Sequence, residues 1–260
     1  MSWEKREILL IVKTYPLRSK KYGNTVCTAG ILEDTNEWVR LYPIRWEIIV
    51  KQNLKKFIRF QAKIQKDTSD YLHRKESHKI REDSIKILDD SLTITSNEGV
   101  WDERTKIIQK LSSSSVEELR EKYENDRTSL GIINPNISTV KFRIRKPISE
   151  IEIDRETTTQ YNLFGEKIIN VDEIDKAFSY KFHCNDVICK GHDKICEDWE
   201  LLEAFRKWKR IYSNEEEFKE KLIAKFNDWM VNRELYFVMG THWQFPKWII
   251  IGLYYPPKKE

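Results

Sequence analysis

Glycine and proline are scarce, with 8 and 7 in 260 residues. A chain so poor in both is neither collagen-like nor a low-complexity linker. Cysteine is scarcer still, at 4, and a chain of this length can pack a core without staples. Nowhere do about eighteen apolar residues run together, so no segment reads as a membrane span. The opening MSWEKREILLIVKTYP carries an apolar run too short and too hemmed in by charge for a secretory signal. The expected location is therefore the cytoplasm, where disulfides rarely persist and clustered cysteines favour metal over cross-links. The excess of one charge sign is also small, 46 basic against 42 acidic residues for a net +4. That balance permits a polyanionic partner without requiring one. No repeat at a fixed period is found.

What is present is a globular composition, 40% apolar and 34% charged, long enough for one large domain or two small ones. The first half reads mainly as strands. Residues 7–14 form a continuous apolar run, and 24–33 follow a turn, with Cys27 sharing a face with Thr25, Ala29 and Ile31. Residues 37–43 alternate cleanly, Val39 and Leu41 on one side and Trp38, Arg40 and Tyr42 on the other. Residues 57–64 alternate likewise, with Arg59 and Lys63 outward, and another strand is expected around 84–95. Helices are expected near 101–112 and from Ser115, where Ser115 and Glu118 have capping-box spacing. Strand patterning returns in SLGIINP and in VKFRIRKP, where Lys141, Arg143 and Arg145 share a face opposite Phe142 and Ile144. Residues 150–176 are polar and irregular, a connection.

The strand 178–184 then delivers the densest chemical signal, Cys184-x4-Cys189-x2-His192-x3-Cys196. Thiolate and imidazole are the ligands zinc prefers, and four of them close a tetrahedron. Gly191 would let the backbone turn tightly between the second and third ligands. The expected metal ligands are Cys184, Cys189, His192 and Cys196. Cys27 is a rival for the fourth place, although its alternation suits a core position. His183 points away from Cys184 on its strand. Zinc is the expected cofactor, an iron–sulfur cluster the alternative, and reduced cysteines without metal the plain reading. A closed site is structural. With only three ligands it would be open, and Asp193, Asp198 or Glu200 could act as a base.

Asp198 stands just before an apolar run at helical spacing, Leu201, Phe205, Trp208 and Tyr212, so an N-cap is its expected role. Its alternative is an acidic pair with Glu200 that binds a catalytic cation, with His242 as acid–base. A second helix carries Phe218, Leu222, Phe226 and Trp229 behind a Ser213–Glu216 capping box. Two strands, LYFVMG and KWIIIGLYYPP, end the chain. These elements suggest a mixed α+β protein of small β-barrels or curled sheets. The expected division is an N-terminal β-rich domain, 1–148, and a C-terminal domain, 149–260, with a metal knuckle (184–196), two helices and a final hairpin.

Nine Trp, eleven Tyr and eleven Phe supply more rings than a core alone calls for. Trp38, Arg40 and Tyr42 on one exposed strand face would make a base-stacking platform. Arg59, Lys63, Lys141, Arg143 and Arg145 would add phosphate contacts. An ordinary solvated sheet face is the plain alternative.

The N-terminal run resembles a bacterial dual OB-containing domain, through Lys20, Tyr22, Cys27, Ala29, Gly30, Ile31, Trp38, Val39 and Arg40. The later FxCxxxxCxGHxxxxxDWE and GTHxxxPxWIIIGLYYPP look like a bacterial family that carries this start. The resemblance implies OB-like barrels and nucleic-acid handling in a defence or mobile-element setting. The cysteine cluster and its two helices depart from it as a helical insertion before the last strands. The leading expectation is a nucleic-acid-binding protein, for single-stranded or distorted strands, with a structural zinc. The alternatives are a metal-dependent nuclease or other hydrolase using Asp198, Glu200 or His242, and a protein-interaction subunit.

Overall fold

The computed structural model describes residues 2–19, 22–96, 98–146, 174–242 and 246–258. The expected boundary at 148/149 and most of the connection 150–176 lie outside the described residues. The fold is mixed α+β, with strands in several sheets and few helices. Among the described residues no helix is long and apolar enough to cross a membrane.

The first-half strands are β1 (Glu4–Lys13), β2 (Leu17–Ser19), β3 (Gly23–Leu32), β4 (Trp38–Arg45), β5 (Arg59–Lys66) and β6 (Ser77–Asp89). Of these, β1, β3, β4 and β5 lie where expected; β2 is an addition, and the strand expected around 84–95 starts earlier and ends at Asp89, before a 3-10 turn at Ser91–Thr93. A short helix, α1 (Trp46–Lys51), links β4 to β5. The pairings close on themselves: β1 joins both β3 and β5, β5 joins β6, β6 joins β4 and β4 joins β3. Only the β4–β6 contact is parallel in this ring. Alternation sets which side chains go inside. Ile8, Leu10, Val26, Val39, Leu41, Phe60, Ala62 and Ile64 fill it.

A second ring repeats the plan. After α2 (Glu98–Lys110), β7 (Ser112–Ser113) and α3 (Val116–Asp126) come β8 (Leu130–Ile133), β9 (Lys141–Arg145), β10 (Ala177–Phe182) and β11 (His192–Ile195). Helices α4 (Trp199–Ile211) and α5 (Glu215–Ile223) precede β12 (Tyr236–Thr241) and β13 (Trp248–Tyr254). Strand β8 pairs with β12, β12 with β13, and β10 with β11, all antiparallel. A parallel bridge from Cys196 to Ile250 joins the end of β11 to β13, and an antiparallel bridge from Pro135 to Cys184 returns β10 to the chain after β8. In both rings the third and fifth strands meet in parallel, and helix separates the third strand from the fourth.

Strands β2 and β9 are matching additions, each paired to its ring's second strand. Since β8 and β9 belong with β10 to β13, the second ring draws on residues from both sides of the expected boundary.

Helices α4 and α5 cover one end of the second ring, burying Leu201, Phe205, Phe218 and Leu222 with Phe178 and Tyr180. Asp198 caps α4 by accepting from the Leu201 N–H. The cap of α5 is Asn214 rather than Ser213: its Oδ1 accepts from Glu216 and Glu217. The chain then widens into a π-helical turn, Ala224–Trp229, and the Phe226 carbonyl accepts from the fully buried Tyr180 hydroxyl at 2.8 Å. Phe226 is buried as expected, while Trp229 stays exposed.

The rings are joined by burying apolar faces. The outward side chains of β1 and β3, Leu9, Ile11, Ala29 and Ile31, pack on Leu130, Ile132, Val238, Ile249 and Ile251. Each such side chain removed from water contributes about 1.5–3 kcal/mol. Gly30 allows the close approach of β1 and β3, since a Cβ there would meet the Leu9 carbonyl oxygen at 2.3 Å. A polar clamp fixes the register of the seam. Ser129, just before β8, gives its N–H and hydroxyl to the Glu76 carboxylate at 2.7–3.1 Å, and its carbonyl accepts from Arg40 at 3.2 Å. All three residues are buried. Replacing Glu76 with Ala should therefore cost about 2–4 kcal/mol in denaturant unfolding, because it orphans the Ser129 donors in the seam.

Glu197 lies in the same seam, its backbone bonded to Ile250 and Tyr15. Burial raises its carboxyl pKa to about 7. An acid whose folded pKa lies above its unfolded value binds its proton more tightly when folded. Its contribution is complete below about pH 4.5 and is lost as pH rises to 7. Glu197→Gln should thus raise the melting temperature at pH 8, by about 1–2 kcal/mol of stability after allowing for solvent screening, and change little at pH 4.5.

Candidate metal centre and flanking surfaces

The end of β10 and the start of β11 bring Cys184, Cys189 and His192 together, and the first turn of α3 adds Glu117. One ligand atom from each of the four lies within 4.8 Å of the others, a group that could hold a metal ion. Cys189 Sγ is 3.3 Å from His192 Nε2, which is 3.4 Å from Glu117 Oε2. Gly191 turns the loop at φ +88°, a value that favours glycine, and a Cβ there would press on the His183 ring at 2.9 Å.

Backbone amides point at both sulfurs. Cys184 and Gly191 donate to Cys189 Sγ, and Val116, the first residue of α3, donates to Cys184 Sγ at 3.4 Å. That last donor brings the positive end of α3 to the thiol. Even so, burial pushes the Cys184 thiol up to about 12, against the Val116 donor, and burial lowers the His192 pKa. Glu117 Oε2 is buried without a hydrogen-bond donor. Buried sulfur, imidazole and an orphan carboxylate oxygen converging on one point make a donor set suited to a divalent cation.

Cys196, expected as the fourth ligand, is 2% exposed in the core of the second ring, and burial raises its thiol well above the usual range. The β11 backbone carries it past the knuckle to bridge Ile250. Glu117 stands in its place. Cys27 is half-buried on β3 beside Thr14 and is outside the group, as is the exposed His183. Nothing in the sequence ties Glu117 to a knuckle 67 residues on. Its only trace is an acidic first turn after the Ser115 cap, which accepts from Glu118 as expected.

Asp198 is fully buried at the junction of the rings. One oxygen accepts from Lys56 at 2.6 Å and from the Leu253 N–H at 3.0 Å, the other from Leu201. Glu200 accepts from the Tyr255 hydroxyl at 2.9 Å and lies 3.5 Å from Lys56. Burial acts against the Lys56 ammonium, but the two carboxylates outweigh it and raise its pKa. The acidic pair therefore serves an ammonium. His242 follows β12, where burial and then the Arg74 and Lys247 charges lower its pKa.

The expected stacking platform is largely covered. Trp38 is half-buried against the seam cluster and Arg40 is 7% exposed, held by Ser129; only Tyr42 stays exposed. The alternation was legible, but the face it turns outward is where the second ring docks. Arg59 is engaged by Glu33, Asp89 and Glu103, while Lys63 is exposed on β5.

On β9, Lys141, Arg143 and Arg145 do share an outward face, opposite Phe142. Arg143 and Arg145 pair with Asp193. Lys181 of β10 lies between Lys141 and Asp193 in register, and Lys190 is exposed nearby. A shallow depression of about 610 Å³ is lined by Lys141, Lys181, Lys190, Thr139 and His183, and its rim includes Gly191 and His192 of the metal group.

Residues 112–260 match the family described as Domain of unknown function (DUF8757), and residues 4–110 match Domain of unknown function (DUF8758). No curated protein matches. A solved structure headed "Molecular basis for abrogation of activation of pro-inflammatory cytokines" aligns at 8% identity over 75% of each chain, with a TM-score of 0.31, too loose a likeness to bear on fold or function.

The geometry predicts a clear split among variants in elemental analysis of protein purified without chelator. Cys189→Ser and Glu117→Gln should lower bound metal well below one ion per chain. Cys196→Ala should keep the ion and show its effect in stability alone, at about 1–3 kcal/mol for a buried side chain.

Proposed function

We propose that the chain, which belongs to the DUF8757 family through residues 112–260, is a nucleic-acid-binding protein built from two OB-like barrels, the second braced by a structural zinc. The OB reading is supported by the strand circuit. In each ring the strands pair in the order first, second, third, fifth, fourth and back to first, with the parallel contact between third and fifth. OB barrels bind oligonucleotides on the face of their second and third strands.

The two rings differ in what that face meets. In the first it is the outer side of β3 and β4, buried in the seam. In the second it is the outer side of β10 and β11, widened by β9, and it carries Lys141, Lys181 and Lys190 at the surface. This difference carries the reading: one barrel serves as scaffold and the other presents a cationic sheet to a phosphate backbone. Arg143 and Arg145 stay near the strand path while Asp193 holds their positions. With no exposed Phe, Tyr or Trp among the residues lining the depression, affinity there comes chiefly from phosphate contacts and hydrogen bonds from Ser138 and Thr139.

Two thiolates, an imidazole and a carboxylate supply four protein donors, the closed set of a structural zinc. The oxygen ligand favours zinc over an iron–sulfur cluster, whose ligands are chiefly thiolates. Zinc with these ligands leaves a net charge near −1, and Arg120 and Lys194 are the cations beside His192. The ion would fix the 184–192 loop, which forms the rim of the basic depression. Asp198 favours no hydrolytic role, since its oxygens are already engaged by Lys56, Leu201 and Leu253.

Fluorescence anisotropy with a single-stranded oligonucleotide tests the reading. Affinity should fall with salt at a log–log slope of about −2, as for about three neutralised phosphates. The double variant Lys141→Glu, Lys181→Glu should weaken binding at least about tenfold and flatten the slope, and chelation should weaken it as the rim loosens. Trp38→Ala should leave affinity unchanged at temperatures where the variant is folded. Salt-independent binding, or loss on Trp38→Ala alone, would overturn the assignment.

A further inference from the structure

A second concavity, a cleft of about 430 Å³, lies between the rings. That is within the size range of small-molecule sites and several times the volume of a bare anion. Its lining combines cations and rings with one carboxylate, Glu200, which also lies 3.5 Å from Lys56. Lys13, Lys55 and Lys56 come from the first ring, Arg104 from α2, and Trp101, Trp199 and Tyr254 form walls.

Two of these cations are held in place without a carboxylate. Arg104 is 6% exposed; its Nε donates to the Leu92 carbonyl at 2.5 Å, and its guanidinium lies 4.4 Å from the Phe57 ring and 5.2 Å from Trp101. Lys13 is half-buried; its Nζ donates to the Leu54 carbonyl at 2.8 Å and sits 4.1 Å over the Trp199 ring. Among the described residues neither makes an ion pair. Lys55 adds an exposed ammonium, while Lys56 is claimed by Asp198 and Glu200. Burial, and then the Lys56 charge, lower the Lys13 pKa to about 8, against the Glu200, Asp198 and Glu203 carboxylates.

Burial lowers the Arg104 pKa against the more distant Glu200 charge, and a buried guanidinium with no carboxylate in contact is costly unless something repays its desolvation. The backbone is strained at the same place: Phe57, a bulky residue, holds φ +65°. Strain of this kind clusters at ligand sites, where it fixes the positions of side chains.

We infer that this cleft binds a nucleoside monophosphate group, its phosphate met by Lys13, Lys55 and Arg104 and its planar base by the Trp101 and Tyr254 walls. A phosphomonoester carries close to two negative charges at neutral pH, which suits a cleft where Lys13, Lys55, Lys56 and Arg104 outnumber the one lining carboxylate, Glu200, and an aromatic base suits ring walls that a bare phosphate would leave unfilled. The site is separate from the basic face of the second barrel, and the inference stands or falls independently of binding there. The group has two sources of one chemistry, a free mononucleotide and the 5′-phosphorylated end of a strand.

Tryptophan fluorescence and calorimetry on the full chain test this with AMP, GMP, CMP, UMP, adenosine and inorganic phosphate. At least one monophosphate should saturate the protein at sub-millimolar concentration, with adenosine and phosphate each at least about tenfold weaker. Arg104→Gln should weaken that nucleotide about tenfold or more. Lys55→Gln, at an exposed position that the fold does not depend on, should weaken it severalfold with an unchanged melting temperature. Lys181→Gln, on the other face, should not affect it. Displacement of the nucleotide by a 5′-phosphorylated hexanucleotide, but not by its hydroxyl-ended twin, identifies a strand end as the source. No displacement by either identifies the free nucleotide. Failure of all four monophosphates to saturate, or equal affinity in wild type and both Lys55→Gln and Arg104→Gln, overturns the inference.

Discussion

The arrangement of the molecule follows from one apolar surface that has to be covered. Strand β1 is hydrophobic on both sides: Ile8 and Leu10 face into the first ring while Leu9 and Ile11 face out. A strand of this kind cannot leave its outer row in water, and the row formed with Ala29 and Ile31 is met by the equally two-sided β8, β12 and β13. The two rings therefore share a wall. Two polar groups caught in that wall find partners across it, Ser129 in Glu76 and Arg40, and Asp198 in Lys56 and two backbone amides.

That wall hides the β3–β4 face of the first ring and leaves the corresponding face of the second at the surface, which is the difference on which the proposed division of roles rests. It also creates the aromatic cleft where Lys13 and Lys56 of one ring meet Trp199 and Glu200 of the other. The metal group stands away from the seam, where α3 runs against the β10–β11 turn. Its Glu117, Cys184, Cys189 and His192 come from two segments, so one ion would tie a helix to the rim of the basic face.

Much of this was legible in the residues. Alternation gave Val39 and Leu41 as inward and Lys141, Arg143 and Arg145 as outward, and the caps at Ser115 and Asp198 marked two helix starts. Cys184, Cys189 and His192 were readable because their spacing is local. What escaped was every relation between distant segments. Period-two patterning tells which side chains share a face but not whether water or another sheet lies beyond it, so Trp38 and Arg40 read as exposed. Cys196 looked like a ligand by proximity in sequence, yet the strand carries it into the core, and Glu117 reaches the site through the fold. The repeat of the two rings is likewise topological: their strands and connections differ in length too much to leave a fixed period.

Lysine acylation read by mass spectrometry, with and without a single-stranded oligonucleotide, is the most direct test of which face is open. The account predicts that Lys141, Lys181 and Lys190 lose reactivity in the complex while Lys63 on the first ring keeps its own. Protection of Lys63 with the other three unchanged would place the strand on the first ring and contradict the division of labour set by the shared wall.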